Sequence, residues 1–140
     1  MKILTGDVNL VCVFVIGNEE KNTAQHILCC MKKYAACSYI SREYADISKT
    51  AEFVFYDLPH IEKIFAKNSV VILKSGYSGV LPKIPKNSTV IVDSAFPHTL
   101  SALKGKSNQI ICCGMSVRDT VNISSLSEQG AICSLNRAIY

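Results

Sequence analysis

The sequence predicts an α/β fold: a Rossmann-like three-layer sandwich with a mainly parallel sheet and a C-terminal antiparallel β-hairpin. Short apolar runs alternate with segments of helical periodicity through most of the chain, which is typical of strand–helix–strand units. The end of the chain instead has two strand-like runs joined by a turn at 128–130. A chain of 140 residues is long enough to bury one core. We therefore expect a single α/β domain spanning residues 1–140.

Five apolar runs of strand length define the predicted sheet, and they lie at 8–16, 52–57, 69–74, 89–93 and 108–114. The first run is nearly all apolar, as in strands that are covered on both faces. Apolar residues recur at helical spacing in three segments, which predicts helices at 22–37, 58–67 and 97–105. Three shorter pieces complete the assignment: a strand at 37–40, a turn of helix at 42–49 and a surface loop at 75–88.

The composition excludes several classes of protein. Apolar residues make up 49% of the chain and charged residues 19%, so the chain is predicted to be globular rather than disordered. The net charge of +4 is spread along the sequence, which does not favour nucleic-acid binding. No stretch approaches the ~20 apolar residues that span a bilayer, and the N-terminal run lacks a signal-peptide cleavage site. We expect a cytoplasmic protein with no nucleic-acid or membrane partner.

The seven cysteines include four, Cys12, Cys112, Cys113 and Cys133, that are predicted to be small core residues rather than ligands or cross-links. Several of them lie in apolar, strand-like runs, where cysteine usually packs as a small hydrophobe. Two adjacent pairs occur, but neighbours in a strand point to opposite faces and do not match a zinc spacing. No metal site and no disulfide framework is expected.

In folds of this class, ligands bind beyond the carboxyl ends of the parallel strands. Polar residues that follow the predicted strands are therefore the candidate ligand-binding residues, although solvated loops also explain many of them. The candidates are Gly17, Lys21, Thr23, Asp57, Lys74, Asp93, Gly114, Ser116, Arg118 and Asp119. No catalytic residue is assigned, because no Gly-x-Ser-x-Gly elbow is present. The pairs Asp57/His60 and Asp93/His98 could serve acid–base chemistry, but a histidine near a helix start is more often a surface or capping residue.

The loop after the first strand, "GNEEKNT", has part of the chemistry of a phosphate-binding loop. Such a loop needs glycines that let backbone N–H groups face the phosphates, a lysine for their charge and a hydroxyl for magnesium. Gly17 and Lys21 match this pattern, and Thr23 is one residue away from the hydroxyl position. Glu19 and Glu20, however, would place two negative charges against an anionic ligand, each costing a few kcal/mol at short range.

The order of these pieces resembles the central ATPase domain of the Mur ligases, the ATP-dependent amide-forming enzymes of peptidoglycan synthesis. "VIGNEEKNTAQHIL" is similar to the family's strand, "GTNGKTT" loop and helix, with Gly17 and Lys21 at matching positions. "VIVDSAFPHTLSALKGKSNQIICCGMSVRDTVNISSL" is similar to the family's later strand, turn, helix and strand. Asp93 and Pro97 fall near the family's turn, and Gly114 matches its strand-end glycine.

The departures from the family bear on function. The family's magnesium-binding glutamate is at best replaced by Asp57, and its Asp-His pair is replaced by "LKSGYSG". The domains that hold the UDP-linked acceptor and the incoming amino acid in the family have no counterpart in this sequence. The resemblance therefore implies a stand-alone, catalytically degenerate relative.

Three hypotheses follow from the sequence. The first is a non-catalytic, partner-binding or regulatory module with a decayed phosphate loop and no cofactor. The second is a small enzyme or sensor for a nucleotide or phosphorylated ligand, in which Lys21, Lys74 and Arg118 converge and Asp57 or Asp93 holds magnesium. Only this second hypothesis calls for ATP and magnesium as cofactors. The third is a homo-oligomer in which the terminal hairpin pairs through its apolar "AICSL" run.

Overall fold

The computed structural model describes residues 10–18 and 22–139, which form one nine-stranded sheet and two helices. The helices are α1 (Thr23–Met31) and α2 (Pro97–Leu103). The strands are β1 (Val11–Ile16), β2 (Cys37–Ile40), β3 (Ala45–Asp46), β4 (Phe53–Leu58), β5 (Ser69–Leu73), β6 (Thr89–Asp93), β7 (Gln109–Gly114), β8 (Val121–Ser127) and β9 (Gly130–Leu135). The prediction of a mixed α/β fold is confirmed.

The sheet has the order β3-β2-β4-β1-β5-β6-β7-β8-β9. All pairs from β2 to β8 are parallel, and the two outermost pairs, β2–β3 and β8–β9, are antiparallel. The mainly parallel sheet and the terminal antiparallel hairpin are therefore as predicted. Because parallel strands run in one direction, the carboxyl ends of β4, β1, β5, β6 and β7 meet at one edge of the sheet.

Alternate residues of β1 point into two different hydrophobic clusters, which is why this run is apolar on both faces. Val13 and Val15 pack with Ala24 and Leu28 of α1. On the other face, Cys12, Phe14 and Ile16 belong to a cluster that extends to Leu103 of α2. No helix in the described part of the chain is long and apolar enough to cross a membrane.

Two predicted helical segments are not helical. The segment 58–67 contains no helix, because its backbone pairs with the loop at 81–85 instead. The Ile64 N–H donates to the Lys83 carbonyl, and the Lys83 N–H donates to the Glu62 carbonyl. These bonds use backbone groups that a helix would need, and Ile64 is thereby buried in the core. The turn of helix predicted at 42–49 is also wrong, since this segment contains β3.

The β8–β9 hairpin, called here the terminal ribbon, projects beyond the rest of the sheet. Only the start of β8 pairs with the end of β7, through Cys113 with Val121 and Gly114 with Asn122. Beyond this point β8 pairs with no described strand other than β9, and most of both strands is exposed. Cys133 of the ribbon is exposed, so the prediction that this thiol is a core residue is wrong, whereas Cys12 and Cys37 are buried. All seven cysteines are free thiols.

Candidate functional site

The carboxyl edge of the sheet brings together most of the residues that the sequence singled out, in two separate clusters. Asp57 is at the end of β4, Gly17 follows β1 and Lys74 follows β5. Farther along the same edge, Asp93 ends β6, Gly114 ends β7, and Ser116 and Asp119 lie in the loop between β7 and β8. Lys21 lies outside the described residues.

Lys74, Asp57 and Tyr39 form a buried hydrogen-bonded chain, called here the Lys74 cluster. The Lys74 ammonium donates to Asp57 Oδ1 at 2.7 Å, and the Tyr39 hydroxyl donates to Asp57 Oδ2 at 2.8 Å. The side chains of Lys74 and Asp57 are only 3% and 17% exposed. Both oxygens of the Asp57 carboxylate are therefore occupied by donors from the protein, and the lysine charge is already compensated.

Tyr39 is held in its neutral, donating form. Burial raises the pKa of its phenol to about 12, and the hydrogen bond to the Asp57 carboxylate adds to the rise. The phenol thus remains a donor at physiological pH and stabilises the negative charge of Asp57. This role is not predictable from the sequence, because it depends on β2 being the neighbour of β4 in the sheet.

Gly17 allows Lys74 to reach Asp57 across the central strand. Ile16 pairs with Leu73, so Gly17 and Lys74 are the next pair along the same two strands. A Cβ atom at Gly17 would lie 2.8 Å from Lys74 Cβ, in the path of the lysine side chain. The backbone φ of Gly17 is +143°, a conformation that L-residues rarely adopt. The glycine of the phosphate-loop pattern therefore has a packing reason to be present here.

The loop after β1 presents a carbonyl oxygen to Lys74. The Asn18 carbonyl accepts a hydrogen bond from the Lys74 ammonium at 3.4 Å. A phosphate loop has the opposite polarity, because its backbone N–H groups face the anion. The described part of this loop therefore resembles a lysine-binding turn more than an anion-binding one.

Asp93 acts as a turn residue in the structure. Its Oδ2 accepts from the Ser75 hydroxyl at 2.7 Å, and its Oδ1 accepts from the Ala95 N–H at 2.9 Å. The second contact is an Asx turn that connects β6 to the loop before α2. With both oxygens engaged, Asp93 is a poorer magnesium ligand than the sequence suggested.

The second cluster, called here the Asp119 cluster, lies at the end of β7. Asp119 Oδ2 accepts hydrogen bonds from the Ser94 hydroxyl and from the Ser116 N–H, both at 2.9 Å. Asp119 is only 4% exposed. A Cβ atom at Gly114 would overlap Ser94 Oγ and would lie 2.6 Å from Asp119 Oδ2, so glycine is required at this position. Ser94 directly follows β6, and this position at a strand end is the sequence signal that could identify it as part of the cluster.

The remaining candidates are not part of either cluster. Thr23 begins α1 and is half-buried. Arg118 is exposed in the β7–β8 loop, where its backbone N–H donates to Ser116 Oγ at 3.1 Å. Arg118 follows β7 and Lys74 follows β5, so they lie in different parts of the carboxyl edge. The Lys74 ammonium also forms an ion pair with Asp57.

A cleft of about 300 Å³ opens at the carboxyl edge, between the loops that follow β1, β4 and β5. After β1 the chain continues to β2 on one side of β1, and after β4 it crosses to β5 on the other side of β1. The cleft therefore lies at the topological switch point of the sheet, where such folds bind ligands. Its lining is Asn18, Pro59, His60, Ser75, Gly76, Tyr77, Ser78, Gly79 and Val80. None of these described lining residues is Lys, Arg, Asp or Glu, so they favour an uncharged ligand over a polyphosphate.

Comparisons with known proteins provide no family assignment. No family model matches the chain, and no curated protein matches it. Within residues 10–18 and 22–139, no group of three or more His, Cys, Asp or Glu side chains is arranged to hold a metal ion. The function must therefore be inferred from the geometry of the site.

Proposed function

We propose that this chain is a non-catalytic α/β binding module, resembling a Mur ligase central domain whose phosphate loop has decayed. We infer that the sheet is the middle layer of a Rossmann-like three-layer sandwich, with α1 over one face and α2 with the 59–87 segment over the other. Seven free thiols favour a reducing, cytoplasmic location.

The observation that carries the proposal is the closed state of the Lys74 cluster. The lysine of the phosphate-loop pattern, Lys21, lies outside the described residues, so Lys74 is a described lysine that a phosphate at this end of the sheet would need. Here the Lys74 ammonium is buried against Asp57, and to release it would leave the carboxylate without its partner, at a cost of several kcal/mol. The Asn18 carbonyl adds a second repulsive oxygen to an incoming phosphate.

The surface best suited to binding is the terminal ribbon. Its cross-strand pairs place Val121 with Leu135, Ile123 with Cys133, and Leu126 with Ala131. Because side chains alternate along β9, these three pairs share one face of the ribbon. The exposed fractions of Leu126 and Leu135 are 74% and 61%, so this apolar face is open to solvent.

The partner that fits this ribbon best is a second copy of the same chain. Glu128, in the turn, is the one charged residue between 121 and 135, so the ribbon offers no charge for a charged partner to recognise. Strand β9 is an edge strand of six residues that contains no charged residue and no proline. Charged residues and prolines are the features that usually prevent edge strands from pairing. The opposite edge, β3, has only two residues and carries the Lys32–Asp46 ion pair.

Twofold symmetry restricts how β9 can pair with its copy. When two identical strands pair antiparallel, their apolar faces lie on the same side of the new sheet only if paired residues are the same residue or are separated by an even number of positions. The register that pairs the whole apolar set is centred on Cys133 and places Ala131 opposite Leu135 of the second copy. Opposed Cα atoms in antiparallel strands are about 4.5–5.5 Å apart, within the range that a disulfide bridges.

We therefore expect mild oxidation to cross-link two chains through Cys133. The test uses a background in which the exposed Cys29 and Cys30 are replaced by serine. Burial raises the pKa of the thiols of Cys12, Cys37, Cys112 and Cys113, which slows their reaction. Cross-linked dimer should form in this background and disappear when Cys133→Ser is added.

Sedimentation velocity gives the matching test without oxidation. An edge pair of six residues buries less than the ~1,600 Å² of a standard interface, so we expect a weak dimer whose fraction rises with concentration. Cys133→Lys places two like charges opposite each other and should produce a monomer, whereas Gln129→Lys adds the same charge in the turn and should not. A wild-type monomer at high micromolar concentration would rule out the second copy as the partner.

A second candidate function rests on the cleft at the switch point. Its size and uncharged described lining fit a small neutral polar ligand held by hydroxyl and amide groups. This is the form of the ligand-binding hypothesis that the geometry favours, since Lys74 is not available to a phosphate. Binding at the cleft and pairing of the ribbon are independent and can be measured separately.

A further inference from the structure

Asn122 has a buried acceptor that nothing in the described part of the chain satisfies. Its side-chain oxygen, Oδ1, has no hydrogen-bond partner, and the residue is only 7% exposed. A buried amide oxygen without a donor costs about 1–3 kcal/mol, so such groups usually mark a site where a donor or a cation binds.

The neighbourhood of Asn122 follows from the sheet register. Asn122 pairs with Gly114 in the parallel β7–β8 ladder, so the two residues point to the same face of adjacent strands. The space above Gly114 is filled by the Asp119 carboxylate and the Ser94 hydroxyl. The Asn122 side chain therefore lies on the same face of the sheet as the Asp119 cluster, one strand away.

The Asp119 carboxylate has the charge that a cation would need. Both of its hydrogen bonds go to Oδ2, and Oδ1 has no partner among residues 10–18 and 22–139. No described Lys, Arg or His forms an ion pair with it. Burial of a carboxylate with no countercharge is costly. A nearly buried carboxylate, whose Oδ1 still reaches solvent, thus lies near a buried amide oxygen that lacks a partner.

We propose that the Asp119 cluster and Asn122 form a binding site for a hard divalent cation, Mg²⁺ or Ca²⁺. Asp119 Oδ1 and Asn122 Oδ1 would be direct ligands and Ser94 Oγ a further oxygen, with water completing the shell. One carboxylate with neutral oxygens is a ligand set that hard cations accept, whereas zinc prefers Cys and His. The site would fix the β7–β8 loop at the base of the terminal ribbon, and it does not depend on the proposed function.

Thermal unfolding of the full chain tests this site with MgCl₂ and CaCl₂, each compared with KCl at the same ionic strength. We expect the divalent ions to raise the Tm of the wild type by several degrees. Asp119→Asn should lose this response. Asn122→Leu should also lose it, yet should be at least as stable as the wild type in KCl, because it removes an unsatisfied buried oxygen. Asp93→Asn is the matched control, since both oxygens of Asp93 are already engaged.

Mn²⁺ replaces Mg²⁺ to locate the ion. In a heteronuclear NMR spectrum, paramagnetic broadening should be strongest for the amides of 114–122 and absent in Asn122→Leu. A Tm that responds to no divalent ion would overturn the proposal and assign a buried water to Asn122. Loss of the response in Asp93→Asn, or broadening centred on the β5–β6 loops, would overturn it as well.

Discussion

Lys74→Met is expected to lower the free energy of unfolding by about 3 kcal/mol, because it leaves the Asp57 carboxylate buried without its countercharge. Methionine has a similar length and fills the same space, so the loss reports the charge rather than a cavity. The side chain of Asp57 is 17% exposed, which places the expected cost at the lower end for broken buried pairs. Urea denaturation monitored by circular dichroism measures it.

Two further variants isolate the cause. Lys32→Met breaks an ion pair with Asp46 of nearly the same length, 2.8 Å, but on the surface, and should change stability little. Adding Asp57→Asn to Lys74→Met removes the stranded charge and should restore part of the lost stability. If Lys74→Met is as mild as Lys32→Met, the Lys74 cluster does not stabilise the fold and the lysine is available for a ligand.

Gly17→Ala is expected to cost on the order of 3 kcal/mol for two reasons that add. The backbone φ of +143° is strained for any residue with a Cβ, and the new methyl group would lie 2.8 Å from Lys74 Cβ. A phosphate-loop glycine would give another result, since its replacement mainly weakens ligand binding. Chemical denaturation without any ligand therefore separates the two roles.

Gly105→Ala is the matched control for this prediction. Gly105 follows α2 with a φ of +80°, but a Cβ atom there would meet no other atom within 4 Å. Its replacement carries only the backbone cost, about 1 kcal/mol. The difference between the two variants measures the contact with Lys74 together with the larger backbone cost of a φ of +143°. Equal costs at Gly17 and Gly105 would show that the lysine does not need the space.

The sequence predicted the edge of the sheet at which polar groups meet, because buried parallel strands have a recognisable composition and a common direction. Asp57, Lys74 and Asp93 were found in this way, as residues that follow apolar runs. Their mutual contacts were not predictable, since these depend on strand order. Nothing local in the sequence places β4 and β5 on either side of β1, and only that order lets Lys74 reach Asp57 across Gly17.

The errors have a common physical origin in tertiary contacts. The 58–67 segment has helical spacing, yet its backbone bonds to the loop at 81–85 and buries Ile64 without a helix. The sequence predicts Tyr39 only as part of a strand, because its hydrogen bond to Asp57 requires the β2–β4 pair. The unsatisfied oxygen of Asn122 depends on register, which a sequence pattern does not fix.

The measurement that most directly tests the central claim, a phosphate loop that no longer binds phosphate, is unfolding with and without nucleotide. Tm is recorded with MgCl₂ alone and with MgCl₂ plus millimolar ATP, ADP, UDP-sugars or inorganic phosphate, so that any effect of the cation is subtracted. A ligand at about 100 times its Kd adds about 2.7 kcal/mol, which moves Tm by several degrees. We predict no shift from ATP, ADP or phosphate beyond that of MgCl₂. A shift with ATP that is lost in Lys21→Ala would contradict the account and restore a nucleotide site.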